Sequence, residues 1–99
     1  MFVLIRHNIT DPKQWGLVTD QIGTLVDQGR LPKGIKPLFY LPCTDGKTAD
    51  CAWEADSLEG LKRFLEPQVG TCAQNEYYQI SVEHAFGLPT TTQQHAVAR

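Results

Sequence analysis

Five side chains in this sequence are of types and spacings that can do chemistry: His7, Tyr40, Cys51, Trp53 and Phe64. His7 follows the apolar run Phe2-Val3-Leu4-Ile5 and shares a strand face with Val3, Ile5 and Ile9. An imidazole at the end of such a face, at a pocket mouth, can serve as acid, base or ligand-orienting group near neutral pH. His7 is therefore the candidate catalytic residue; its structural alternative is a hydrogen-bonded histidine at a strand end. Tyr40, Cys51 and Trp53 fall on one face of a hairpin. With Phe64 and Leu61 from the following helix they are candidate ligand-binding residues lining one cavity. Aromatic side chains at strand centres are also ordinary core. Cys51 as a nucleophile needs a neighbouring base to generate the thiolate. The sequence places none beside it, so it reads first as a small buried hydrophobe. His84 and His95 lie far along the chain, and the three cysteines, Cys43, Cys51 and Cys72, contain no C-x-x-C pair. Neither a metal site, a cofactor nor a disulfide framework is expected from that pattern.

The elements that position these residues centre on the segment from Ile35 to Pro67. Asp45-Gly46 predicts a two-residue hairpin loop with both central residues at positive φ. That loop sets a register in which Cys43 faces Thr48, Leu41 faces Asp50, Tyr40 faces Cys51 and Leu38 faces Trp53. Alternation then puts Leu38, Tyr40, Pro42, Ala49, Cys51, Trp53 and Ala55 on one face. Phe39, Leu41, Cys43, Asp50, Ala52 and Glu54 take the other. A helix follows at once, with Asp56 as N-cap and Glu59 at capping-box spacing, or Ser57 as the alternative cap. Leu58, Leu61, Phe64 and Leu65 form its apolar stripe, Glu66 points away, and Pro67 is expected to stop it.

Around this unit, Phe2 to Ile9 predicts a first strand buried on both faces. Asp11 caps a helix with Pro12 at its first position, and Gly29 ends it. Trp15, Val18, Ile22, Leu25 and Val26 recur at helical spacing. Gly23 interrupts that stripe, either as tolerated surface or where the second helix approaches closely. Val69 to Asn75 reads as a loop, Glu76 to Glu83 as the last strand, and Thr90 to Arg99 as a polar tail, mobile or laid on a partner.

The chain has 99 residues and a formal net charge of −2, which fits one domain over residues 1–89 plus the tail. Arg30, Lys33 and Lys36 form no extended basic stripe, so no nucleic-acid partner is expected. The opening MFVLIRHN is too short and too soon charged for a signal peptide or a membrane span. Reduced thiols point to a cytoplasmic setting.

The order βαββαβ predicts an α+β ferredoxin-like sandwich: one four-stranded antiparallel sheet in the order 4-1-3-2 with both helices on one face. The uncovered sheet face carries Phe2, Leu4, Phe39, Leu41 and Ala52, an apolar patch that marks an interface. With the opening FVLIRH, the hairpin PLFYLPCTDGKTADCAWEAD, the helix LEGLKRFLEP and the closing NEYYQISV, the chain resembles the dimeric α+β barrel superfamily. That resemblance covers nearly the whole chain and implies a homodimer closed sheet to sheet, with a ligand pocket between helices and sheet in each subunit. Members include stress-responsive barrel proteins, cofactor-free monooxygenases and muconolactone-isomerase-like enzymes. The implied function is binding of a small apolar or aromatic compound, with oxygenation or isomerisation as the chemistry, or a non-catalytic ligand-binding or stress-associated role. No catalytic set of any one member is matched residue by residue.

Overall fold

The computed structural model describes residues 1–89, so the expected tail and His95 lie outside the described residues. The chain runs through β1 (Phe2–Ile9), α1 (Pro12–Asp27), β2 (Ile35–Pro42), β3 (Thr48–Ala55), α2 (Leu58–Val69) and β4 (Ala73–Gln79), then a short 3-10 turn at Val82–His84. The four strands form one antiparallel sheet in the order β2-β3-β1-β4, the expected order read from its other edge. Both helices bury their apolar sides on the same sheet face. Trp15 and Val18 of α1 and Leu61, Leu65 and Val69 of α2 share one core with Val3, Ile5, Ala49, Cys51 and Trp53. This is the ferredoxin-like α+β arrangement.

Why these residues form these elements is mostly local. The Asp11 carboxylate accepts from Gln14 N–H at 3.1 Å and starts α1, with Pro12 where its missing N–H costs nothing. Burial then sorts the helix lengthwise. Trp15 and Val18 are buried, Ile22 is half-buried and Val26 is 37% exposed, so the second half of α1 stands away from the sheet.

Five local expectations are corrected. The β2–β3 connection is longer than a two-residue loop: a turn closed by Gly46 N–H to Cys43 O spans 43–46, with Gly46 at positive φ, 71°. Asp45 instead accepts from Lys47 N–H at 2.8 Å and from Thr48 N–H at 3.1 Å, so its side chain braces the turn. The register keeps Leu41 opposite Asp50 and Tyr40 opposite Cys51, but a bulge between Pro37 and Phe39 sets Pro37, not Leu38, opposite Trp53. Proline at an edge strand with no N–H to donate is a natural place for that break. At α2 the cap is Ser57, whose Oγ accepts from Gly60 N–H at 3.0 Å. Asp56 lies one residue before the cap position, where its N–H donates to Gly34 O at 2.8 Å. Pro67 lies inside α2 rather than ending it. Burial of Val69 and the Gly70 N–H bond to Glu66 O hold the last turn against the local bias. Finally, β4 begins at Ala73 and ends at Gln79, so 73–75 is strand and 80–83 is not, with 82–84 forming the 3-10 turn.

Ser57→Ala is expected to lower stability in urea unfolding by about 1 kcal/mol, and Asp56→Ala by clearly less. The opposite ranking would return the cap to Asp56.

Candidate functional site

Three strands bring the polar groups of the site together on the helix-covered face. In the ladders His7 of β1 stands between Ala49 of β3 and Asn75 of β4, while Ile5 stands between Cys51 and Tyr77. Cys51 is thus the diagonal neighbour of His7, within reach of a long side chain. Ala49 directly opposite is small and fully buried, which leaves room for the ring to lean that way. His7 was expected at a pocket mouth; it lies at the floor instead, only 2% exposed.

Both ring nitrogens have partners. Nδ1 lies 2.6 Å from Asn75 Oδ1 and Nε2 lies 3.0 Å from Cys51 Sγ. The Asn75 amide is oriented by its Nδ2, which donates to Glu66 Oε2 at 3.1 Å and to Ala73 O at 3.4 Å. Its Oδ1 must therefore accept, which assigns the proton to His7 Nδ1 and leaves Nε2 with a lone pair. The Cys51 thiol then donates to Nε2, and Sγ in turn accepts the Trp53 indole N–H at 3.3 Å. Behind Asn75, Tyr77 O–H donates to the same Glu66 oxygen. The result is a directed chain from Cys51 through His7 and Asn75 to Glu66.

Electrostatics keep this chain neutral at its inner end. Burial lowers the His7 pKa below its ordinary value, only partly opposed by the Asn75 bond and the more distant Asp50 and Glu66. Burial pushes the Cys51 thiol up to about 12, against the Trp53 N–H, which favours the thiolate. Tyr77 is raised by burial and then by its bond to Glu66, so its hydroxyl stays a donor.

A cleft of about 430 Å³ opens over this floor, between the second half of α1 and the bulged strand β2. His7, Cys51, Trp53 and Tyr40 line it with Trp15 and Gly23. The Trp15 ring lies 4.8 Å from the His7 ring, and its indole N–H donates to Tyr40 O–H at 2.9 Å, bracing α1 against β2. Gly23 is not a close approach of helices: a Cβ there would meet nothing within 4 Å. Of the expected lining residues, Tyr40, Cys51 and Trp53 are together. Phe64 meets Trp53 edge-on at 6.3 Å but lines a separate hollow of about 510 Å³ near Gly34 and Asp56.

Asn75, Glu66 and Tyr77 escaped the sequence reading. Asn75 fell in an expected loop, although Ala73, Asn75 and Tyr77 continue the alternation of β4 backwards. Glu66 stands off the apolar stripe of α2 by helical spacing and so reads as solvated, yet its carboxylate accepts from Asn75 and Tyr77 of β4. On the other sheet face Arg6 and Asp50 form an exposed ion pair, with Nε 3.1 Å from Oδ1. The three thiols are free, with Cys43 exposed and Cys72 buried. Among the described residues no group of three His, Cys, Asp or Glu can hold a metal ion, and no helix is long and apolar enough to cross a membrane. No protein-family profile and no curated protein matches the chain.

The lowered His7 pKa has a stability consequence with a definite sign. The folded value lies below the ordinary 6.5, so on acidification the unfolded chain takes up this proton first. The His7 contribution is fully present above 6.5 and is lost as pH falls from there through the folded value. Urea unfolding of wild type and His7→Gln across that window should show the wild type losing stability faster toward acid. Parallel curves would mean that His7 titrates alike in both states.

Proposed function

We propose that the protein is a homodimeric, small-molecule-binding α+β barrel protein of the dimeric α+β barrel type. A compact apolar or aromatic compound would occupy the cleft between α1 and the sheet. The single observation that carries this reading is the buried, oriented imidazole of His7 at the floor of a largely apolar cleft. Such a site supplies burial area from Trp15, Trp53 and Tyr40 and a few placed polar groups, His7 first among them, the usual composition of a ligand pocket. The neutral ring suits proton transfer, because Nε2 faces only a thiol, a weak partner that a ligand hydroxyl can displace. Cofactor-free oxygenation or isomerisation of that compound is the chemistry this favours. The second reading, a non-catalytic binder, is favoured by the same thiol if it keeps Nε2 occupied.

The open sheet face supports the assembly. Phe39, Leu41 and Tyr78 on it are 41%, 57% and 49% exposed, beside half-buried Leu4. Apolar side chains gathered on one sheet face fit burial against a second copy. Three free thiols fit a reducing, cytoplasmic setting.

Screening small aromatic compounds by ligand-detected NMR tests the cleft. A hit should bind wild type and lose most of its affinity in Gly23→Leu, which fills the cleft from α1. Equal binding would place the ligand elsewhere. With a hit in hand, His7→Gln should abolish turnover if His7 moves a proton, and should spare most affinity if the protein only binds. For the assembly, wild type should sediment as a dimer at micromolar concentration and Leu41→Arg as monomer or aggregate. A monomeric wild type would refute the dimer.

A further inference from the structure

Cys51, His7 and Asn75 have the relations of a nucleophile, its base and the group that orients the base. Sγ lies 3.0 Å from Nε2, and Nδ1 lies 2.6 Å from the Asn75 amide oxygen. This is the logic of an activated nucleophile, recognised by geometry and role rather than by sequence order. The cluster faces the cleft, where Cys51 and His7 are both lining residues. Two further groups complete it. The Trp53 indole N–H already donates to Sγ at 3.3 Å and stabilises negative charge as it develops there. Tyr40, directly opposite Cys51 in the β2–β3 ladder, accepts from Trp15 and keeps its own hydroxyl hydrogen to give to a ligand in the cleft.

We infer that Cys51 is a base-activated nucleophile that adds to small conjugated carbonyl compounds held in the cleft, with His7 as base and acid, Tyr40 as donor to the carbonyl oxygen and Asn75 as positioning residue.

The inference rests on the reading of the cleft as a small-molecule site and names the class of compound it takes. In the step, His7 Nε2 removes the Cys51 proton as a sulfur lone pair forms the S–C bond at the β-carbon. The C=C π pair moves toward the carbonyl, whose oxygen charge is met by the Tyr40 O–H. His7 then returns the proton to the α-carbon. The sum is addition of S–H across C=C, with nothing oxidised or reduced and no leaving group. Burial keeps the resting pair neutral, so there is no standing thiolate. The proton moves only as the new bond forms, as it must for any nucleophile whose free pKa is far above its base. Acyl transfer is less well served. Its tetrahedral oxyanion needs dedicated donors, while the Trp53 N–H is committed to sulfur and the Trp15 N–H to Tyr40.

The test uses the full chain carrying Cys43→Ala, which removes the exposed thiol. N-Ethylmaleimide and 2-cyclohexenone are the probes, read by intact mass and peptide mapping. The expected result is one adduct, at Cys51, at a rate that rises with pH and levels off on the acid side of the ordinary histidine value of 6.5, as His7 loses its proton. His7→Gln should slow it by roughly 10²-fold and replace the plateau by a continuous rise toward alkaline pH. Tyr40→Phe should slow the enone more than it slows iodoacetamide, whose substitution builds no enolate. Asn75→Ala should move the midpoint of the pH profile as well as lower the rate. An unmodified Cys51 in folded protein, or a rate indifferent to both His7→Gln and Tyr40→Phe, would overturn the inference. The two readings fail separately. If Cys51→Ala still binds a non-covalent hit while wild type resists both probes, the thiol chemistry is wrong and the cleft stands. If Gly23→Leu leaves Cys51 labelling unchanged, the reagent does not come through the cleft, and the inference falls with it.

Discussion

A buried imidazole must satisfy both of its nitrogens, and in this fold that one requirement draws three strands and a helix together. His7 sits on β1, an inner strand, so its partners come from both sides at once: Cys51 from β3 and Asn75 from β4. An unpaired buried polar atom costs about 1–3 kcal/mol, so the pairing is a constraint on the whole sheet. Asn75 in turn needs Glu66, which ties β4 to the last turns of α2. Among the described residues, no buried side-chain nitrogen or oxygen is left without a partner. Polar satisfaction thus runs from the cleft floor to the helix end, and the same contacts that fix the fold also fix the imidazole tautomer.

The cleft arises from a mismatch between the two helices. α2 seats Leu61, Leu65 and Val69 fully in the core, whereas α1 does so only with Trp15 and Val18. Beyond Val18 the helix is more exposed, with Ile22 half-buried against the core, and β2 carries its bulge across the cleft. The Trp15–Tyr40 hydrogen bond spans that gap at one end. On the opposite sheet face Phe2 and Ala52 are buried, while the Arg6–Asp50 pair sits beside exposed aromatic and aliphatic groups.

Period-two alternation and helix caps made the architecture legible in the sequence. The run FVLI, the Asp11-Pro12 start and the stripe Leu58-Leu61-Leu65 each have a local physical cause, and each is found in place. The face shared by Tyr40, Cys51 and Trp53 was legible for the same reason. What failed had tertiary causes. Pro67 reads locally as a stop, yet the burial of Val69 carries the helix past it. Asp56 reads as a cap, yet the helix begins one residue later and Ser57 takes that place. The stop read at Pro67 and the loop read after it hid Asn75, and with it the chain that positions His7. The proximity of His7 to Cys51 depends on a diagonal across two strands 44 positions apart, which no local spacing encodes.

The central claim is that His7 is neutral, carries its proton on Nδ1 and presents Nε2 to the Cys51 thiol. Nitrogen-15 shifts and long-range proton–nitrogen correlations of the imidazoles, recorded from mildly acidic to neutral pH, test it most directly. The account predicts that His7 stays uncharged at neutral pH with a protonated Nδ1 and an unprotonated Nε2, and that it titrates below the ordinary histidine value. A His7 that is an imidazolium at neutral pH, or that carries its proton on Nε2, would contradict it.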